Sequence, residues 1–251
     1  MIATVLLTRP VKQAERFAGA LRDRFGATLP VLIAPKLEII YDRVAAALAL
    51  RGAGGVIFTS ENGVEACIGA DIPANLPAFC VGPRTAKAAG AAGFAAHMGP
   101  GDAAGLIATI AGLKCAQEAA PLVHLHGAHV TGNVSGALSA HGIPTRSAVV
   151  YDQRPCPISQ QARRLLAGSA PVILPLFSPR SAKLLTGDLA VSQAPLWIAA
   201  ISPAVAQAVN VHSAAELQIR VARHPDADEI IAEIAELLEN GSFLEDGTSA
   251  G

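Results

Sequence analysis

Aromatic residues are scarce in this sequence, at 4% with one Trp and two Tyr. A surface that stacks the successive bases of single-stranded nucleic acid needs more rings than that. Excess positive charge is missing too: the net charge is −1, so the basic footprint of a DNA binder is absent. An anionic ligand would therefore have to be held by local positive groups. No apolar run approaches the roughly 20 residues of a bilayer span. The opening Met1-Ile2-Ala3-Thr4-Val5-Leu6-Leu7-Thr8-Arg9-Pro10 lacks the long apolar core of a secretory signal. Cys67, Cys80, Cys115 and Cys156 are scattered without a CxxC pair, so reduced cysteines and a cytoplasmic location are expected, with no membrane or nucleic-acid partner. Also absent are a GxxxxGK[ST] phosphate loop, a GxSxG elbow, HExxH, and GxGxxG after the first strand. Thr8 and Arg9 stand where a phosphoacceptor receiver domain would carry acidic residues.

What the chain does contain is core material. Hydrophobic residues make up 51% and charged residues 16%, which excludes general disorder. Its 251 residues suffice for one large or two small domains, the commonest domain size being roughly 100–150 residues. Short β-branched runs at Thr4-Val5-Leu6-Leu7, Gly55-Val56-Ile57-Phe58, Pro121-Leu122-Val123 and Pro171-Val172-Ile173-Leu174 alternate with alanine-rich stretches of helical periodicity. That alternation predicts parallel sheets covered by helices on both faces. Ligands of such sheets bind beyond the C-terminal strand ends.

An internal repeat sets the domain plan. Ile57 to Ala66 echoes Leu176 to Lys183, Phe79 to Ala88 echoes Ala199 to Ala208, and Gly99 to Ile107 echoes His224 to Ile231. The three matches fall in one order at a near-constant offset, the mark of a duplicated unit. The second copy lacks an opening strand pair, which the N-terminal stretch can supply. The prediction is a discontinuous domain of 1–34 plus 155–240 with 41–148 inserted. Linker strands at 35–40 and 149–154 would join the two, and 241–251 would be a solvated tail.

Several strand-end turns pair a small or hydroxyl residue with arginine: Thr8-Arg9-Pro10, Gly82-Pro83-Arg84-Thr85 and Ser178-Pro179-Arg180-Ser181. Helix N-terminal amides and the dipole attract carboxylates there, so each turn is a candidate anion seat. Ser60-Glu61-Asn62-Gly63 and Ser202-Pro203 are further candidates without arginine. Each has an equally simple reading as a plain helix cap with Ser at N-cap or Pro at N1. In His124-Leu125-His126-Gly127-Ala128-His129 the first two imidazoles share a strand face, as metal ligands would, but no carboxylate follows at a spacing that would orient them. His126 pointing at ligand, with Gly127 beside it and His124 packed, is the alternative. Tyr151 reads either as a proton donor beside the cleft expected between the two domains or as a packing aromatic. Tyr41, at the outgoing crossing, reads as packing only.

Taken together these segments resemble the uroporphyrinogen-III synthase family: Thr8-Arg9-Pro10, Phe58 to Val64, Val81 to Ala86, Gly99 to Leu106, Val150-Tyr151, Phe177 to Ala182 and His224-Pro225-Asp226, over roughly 3–240. The resemblance implies two flavodoxin-like, doubly wound parallel-sheet domains, the first discontinuous, joined by a two-stranded linker. It implies a cyclising lyase of haem, chlorophyll and cobalamin biosynthesis that works without metal or organic cofactor; with no broad exposed apolar stripe in the sequence, a monomer is the default expectation. Its substrate would be the polycarboxylate hydroxymethylbilane, closed to uroporphyrinogen III with ring D inverted. A transient contact with the preceding enzyme of the pathway is compatible with it. By position, Tyr151 matches the tyrosine that assists departure of the hydroxyl, and Thr85, Ser60, Ser178 and Arg9 match cleft residues. Asn62, Gly63, Gly82, Arg84, His126, Gly127, Arg180, Ser181 and Ser202 complete the expected substrate contacts. Two other readings stand beside this one: a non-catalytic binding or sensing module for an anionic ligand on the same scaffold, and a metal hydrolase built on His124 to His129.

Overall fold

The computed structural model describes residues 2–130, 132–209, 211 and 216–246. The chain opens with β1 (Thr4–Leu7), α1 (Val11–Phe25) and β2 (Val31–Ile33). Next come β3 (Leu37–Tyr41), α2 (Arg43–Leu50), β4 (Gly55–Phe58), α3 (Glu61–Ala66), β5 (Pro77–Cys80), α4 (Pro83–Ala91), β6 (Ala95–Met98) and α5 (Ala103–Gly112). After α6 (Lys114–Glu118) follow β7 (Leu122–Gly127), α7 (Val134–Ala140) and the long β8 (Thr145–Pro155). The described chain closes with α8 (Gln160–Leu166), β9 (Val172–Leu176), α9 (Pro179–Leu189), β10 (Leu196–Ala200), α10 (Pro203–Ala208), β11 (Leu217–Val221) and α11 (Ala227–Asp246). The last helix runs past residue 241, where the sequence reading begins a tail. Ile230, Ile234 and Leu237 stay buried at helical spacing, and no proline interrupts the segment that follows.

Two compact units result. The first takes the chain up to Glu38 and from Pro155 onward, and the second takes Ile39–Arg154. The first holds a sheet of order β11-β10-β9-β1-β2, the second a sheet of order β6-β5-β4-β7-β8-β3. Pairing is parallel from β11 through β2 in the first and from β6 through β8 in the second. The orders match strand for strand when β9, β10 and β11 are set on β4, β5 and β6, and β1 and β2 on β7 and β8. The duplicated unit is therefore permuted in the first sheet, where the N-terminal strands occupy the places that β7 and β8 fill in the second.

Each sheet is covered on both faces, so its inner strands have no polar side. Every residue of β9 and of β10 is buried. Alternation along β1 sends Leu6 to one core layer with Leu174, Ala182 and Leu185, and Val5 and Leu7 to the other with Phe17, Trp197 and Ile230. In the second unit Phe58, Val64 and Val150 share one layer, while Ile57, Leu106, Val134 and Leu138 share the other. Burying one such large aliphatic or aromatic side chain stabilises by roughly 1.5–3 kcal/mol, so these layers fix which strand ends lie side by side.

Candidate active site

In both sheets the chain order reverses at one place. Helix α1 packs in the layer of Phe17 and Trp197, whereas α9, after the neighbouring strand, packs in the opposite layer. The same divergence separates α3 from α7 across β4 and β7. Where two following helices part to opposite faces, a crevice opens beyond the C-terminal strand ends. In the first unit, ladder pairs between β1 and β9 are Thr4 with Val172 and Val5 with Ile173. Pro175, with no N–H to donate, follows them on the buried strand.

The sequence-predicted residues sort themselves around these reversals. Arg9, Ser178, Arg180 and Ser181 lie just past β1 and β9; Ser60, Asn62, Gly63, His126 and Gly127 lie at the ends of β4 and β7. Gly82, Arg84 and Thr85 sit one strand over, after β5, and Ser202 holds the matching place after β10.

Capping separates these turns by chemistry. Ser60 Oγ accepts from Asn62 N at 3.2 Å, and Ser178 Oγ accepts from Ser181 N at 3.1 Å while donating to Ser181 Oγ at 2.8 Å. Both hydroxyls thus serve their own helices. Asp102 and Asp226, which lie within the third repeated segment, do likewise: they accept from Gly105 N at 2.8 Å and from Glu229 N at 2.9 Å. The middle segment differs in both copies. Gly82 and Ser202 make no side-chain cap, each with Pro at the head of the helix, and α1 begins at Pro10 without one. The first turns of α1 and α4 therefore carry no side-chain cap. Exposed Arg84 stands in the first turn of α4, whereas Thr85 is buried. The guanidinium of Arg9 lies 3.8 Å from the Phe177 ring centroid, which holds the cation at the end of β1.

Glycines 63 and 127 have packing reasons. A Cβ on Gly63 would stand 2.8 Å from Leu125 O and 3.1 Å from Phe58 Cδ1, so α3 lies too close to β7 for any side chain there. A Cβ on Gly127 would stand 2.5 Å from Cε2 and 2.7 Å from Cζ of Tyr151. The phenol ring rests directly on the Gly127 backbone.

Local irregularity aims that ring. Along the β7–β8 ladder His126 pairs with Val149 but Gly127 with Tyr151, so one residue is inserted at Val150. A bulge of this kind turns the following side chain. Val150 and Tyr151 accordingly both reach the core layer of Phe58, and Tyr151 is 8% exposed. Tyr151 and Tyr41, which ends β3, line a cavity of about 530 Å³ together with Ile40, Asp42, Arg43, Val44, Val149, Asp152 and Arg154. That volume is in the range of small-molecule sites.

Sequence reasoning missed two contacts here. Tyr41 does more than pack: its hydroxyl donates to Asn62 Oδ1 at 3.5 Å. Burial, then the Glu65 carboxylate, raises its pKa above the ordinary phenol value. Asp152, twenty-odd residues beyond the histidines, brings Oδ1 to 3.8 Å from His129 Nε2 and takes Arg154 Nε at 3.3 Å. A tyrosine after an apolar strand was the only signal for the first. The second had none.

The three histidines do not converge. His124 Nε2 is 3.0 Å from Thr59 Oγ1, His126 Nδ1 donates to Gly127 O at 2.8 Å, and the two rings lie 4.8 Å apart. Among the described residues no group of three or more His, Cys, Asp or Glu is placed to hold a metal ion. His124 is 4% exposed; burial, then the neighbouring His126, lowers its pKa to about 4. The unfolded chain takes up this proton near 6.5 and the folded chain only near 4, so stability falls as pH drops through that window. Between pH 7 and about pH 5 the loss is expected to be roughly 2 kcal/mol from this group. Denaturant titrations of wild type and His124→Leu check it: equal pH dependence in the two would contradict it. Cys67 and Cys80 are buried thiols pushed up to about 12, hence not nucleophiles near neutral pH.

Two parallel-dominated sheets covered by helices on both faces, each with one reversal of chain order, define a two-domain α/β protein. Family comparison gives the particular assignment. The model of the uroporphyrinogen-III synthase HemD family matches residues 15–232, and the chain belongs to that family. In structure it is similar to uroporphyrinogen-III synthetase from Helicobacter pylori 26695, with TM-score 0.56 and 16% identity over 94% of this chain and 100% of that one. A mutant uroporphyrinogen III synthase from the extremely thermophilic bacterium Thermus thermophilus aligns at 16% identity over 95% and 100%, with TM-score 0.48. No curated protein sequence matches the chain. Among the described residues no helix is long and apolar enough to cross a membrane.

Proposed function

We propose that the protein closes the linear tetrapyrrole hydroxymethylbilane to uroporphyrinogen III, inverting ring D and releasing water. The observation that carries this is the family match over residues 15–232, which takes in the repeated segments of both units. A flavodoxin-like reading of each unit is supported by the first sheet, whose order is 2-1-3-4-5 when its strands are numbered within the unit.

The substrate is a polycarboxylate, and its side chains suit strand-end turns such as the start of α4, which has no side-chain cap and Arg84 alongside. Ser60 and Ser178 contribute by fixing their turns rather than by offering hydroxyls. Tyr151 supplies the proton. As the bond between the terminal methylene and its hydroxyl breaks, the phenol proton goes to the leaving oxygen, which departs as water, and a pyrrole nitrogen lone pair fills the electron gap. Attack by the substituted carbon of ring D gives a spiro intermediate. Bond migration and closure then release one ring proton, which returns to the phenolate. No net redox change occurs, and much of the rate comes from holding the chain folded so that the correct carbon reacts.

The test is isomer analysis. Purified protein given hydroxymethylbilane is expected to yield the type III isomer, whereas spontaneous closure gives type I. Type I alone in the presence of folded protein would refute the proposal.

A further inference from the structure

The cavity that Tyr151 lines on the second unit also holds a cation that the reading above leaves without a task. Four charged residues border this cavity: Asp42, Arg43, Asp152 and Arg154. Three of them are engaged. Asp42 Oδ1 accepts from Ala45 N at 2.8 Å and so caps α2, while Asp152 Oδ2 takes Arg154 Nε at 3.3 Å. Arg43 is held differently. Its Nη1 donates to Glu65 O at 2.8 Å and to Ile68 O at 2.9 Å, which uses both hydrogens of that nitrogen and fixes the plane of the guanidinium. Both acceptors are neutral carbonyls, so neither cancels the positive charge. Nε and Nη2 make no hydrogen bond or ion pair among the described residues, and Arg43 is exposed. The guanidinium stands 5.5 Å from the ring centroid of Tyr41, itself a wall of the cavity. The result is a cation of fixed direction, with hydrogen-bond donors to spare, at the same cavity as the proposed acid.

We infer that Arg43 is a specificity residue of the cyclase: it takes a carboxylate of the pyrrole ring that bears the hydroxymethyl group, and so seats that ring in the cavity with its hydroxyl at Tyr151. The inference rests on the cyclase reading above and adds to it the place of one ring and the residue that selects it. Tyr151 can protonate the departing hydroxyl only when the ring next to that hydroxyl lies against the same wall. Such a ring has two apolar faces and carries its acid arms on the carbons beside the hydroxymethyl group. Tyr41, Ile40 and Val149 offer surface to the faces, and the cavity of about 530 Å³ holds one ring with its arms. The arms need a cation a few bonds from the reacting carbon. Arg43 is the guanidinium of this cavity that no carboxylate already occupies, and its planar edge matches a carboxylate's two oxygens.

A cycle that pairs a residue change with a substrate change tests this. Arg43→Ala is expected to raise KM about tenfold, the worth of one charge-assisted contact at an exposed site, with kcat changed by no more than a few-fold and the product still the type III isomer. Arg43→Lys, which keeps the charge without the planar fork, is expected to fall between wild type and Arg43→Ala. It carries the same comparisons should the alanine variant, which loses the tie from α2 to the end of α3, fail to fold. On a hydroxymethylbilane analogue with methyl groups in place of the acid arms of the hydroxymethyl ring, wild type and variant are expected to differ by less than about twofold, because the partner of Arg43 is gone. On an analogue trimmed in the same way at the opposite end of the chain, the tenfold difference is expected to persist. Calorimetric titration with a monopyrrole bearing one acetate and one propionate gives a readout without turnover: weak binding to wild type, several-fold weaker to the variant. An unchanged KM in both variants, a penalty that persists on the first analogue, or one lost only on the second would each overturn the inference while leaving the cyclase reading standing. Wild-type protein that yields only the type I isomer would remove both.

Discussion

Tyr151→Phe is expected to lower turnover by about a hundredfold or more, with KM changed by no more than a few-fold. Positioned proton transfer contributes roughly 10²–10⁴ in typical enzymes, and a group that acts only as the transition state forms affects kcat rather than binding. The substitution removes one oxygen and keeps the ring on Gly127, so the bulged end of β8 and the core layer it joins are retained. Residual type III product is expected, because the folded arrangement of the substrate survives. Single-turnover kinetics with isomer analysis measure both quantities. An unchanged rate would take the tyrosine out of the chemistry and leave it a packing residue.

Gly127→Ala is the second large effect. The new methyl would overlap the Tyr151 ring, with Cε2 at 2.5 Å and Cζ at 2.7 Å. Those atoms belong to a buried ring rather than a flexible tip, so either the ring or β7 must shift. Overpacking of this sort costs about 1–3 kcal/mol of stability, and displacing a reacting group by about 1 Å can cost a hundredfold in rate. Turnover is therefore expected to fall roughly ten- to a hundredfold in a protein that still folds and still binds substrate. Combined with Tyr151→Phe, the alanine should add little further loss, since both act on the same phenol. Denaturation and steady-state kinetics on the three variants check this; a full-rate Gly127→Ala protein would show that the contact has no catalytic consequence.

Much of the architecture was legible because it rests on local signals. Apolar runs ending in Gly, Pro, Ser or Thr became strands that feed helices, and the echo between Phe58-Thr59-Ser60 and Phe177-Ser178-Pro179 marked equivalent strands of two sheets. The order of the turns was legible as well, but not their chemistry. Ser60 and Gly82 both looked like anion seats, and only the geometry shows that the first hydroxyl caps its own helix whereas the second turn has no side-chain cap. Contacts between residues far apart in the chain left no trace in the sequence. The bulge at Val150, the Tyr151 ring on Gly127, the Tyr41 hydroxyl on Asn62 and the Asp152 carboxylate near His129 all depend on which strands become neighbours. Periodicity cannot report that. At the far end, α11 continues to Asp246, beyond its last buried core residue, as a helix already nucleated extends by one hydrogen bond per residue.

The most direct measurement is a crystal structure with uroporphyrinogen III bound. Product carboxylates are expected on strand-end turns such as the first turn of α4, near Arg84, with the newly closed methylene carbon within reach of the Tyr151 hydroxyl. Product bound away from the strand-end turns, with Tyr151 remote from the new bond, would contradict the assignment of these residues to the reaction.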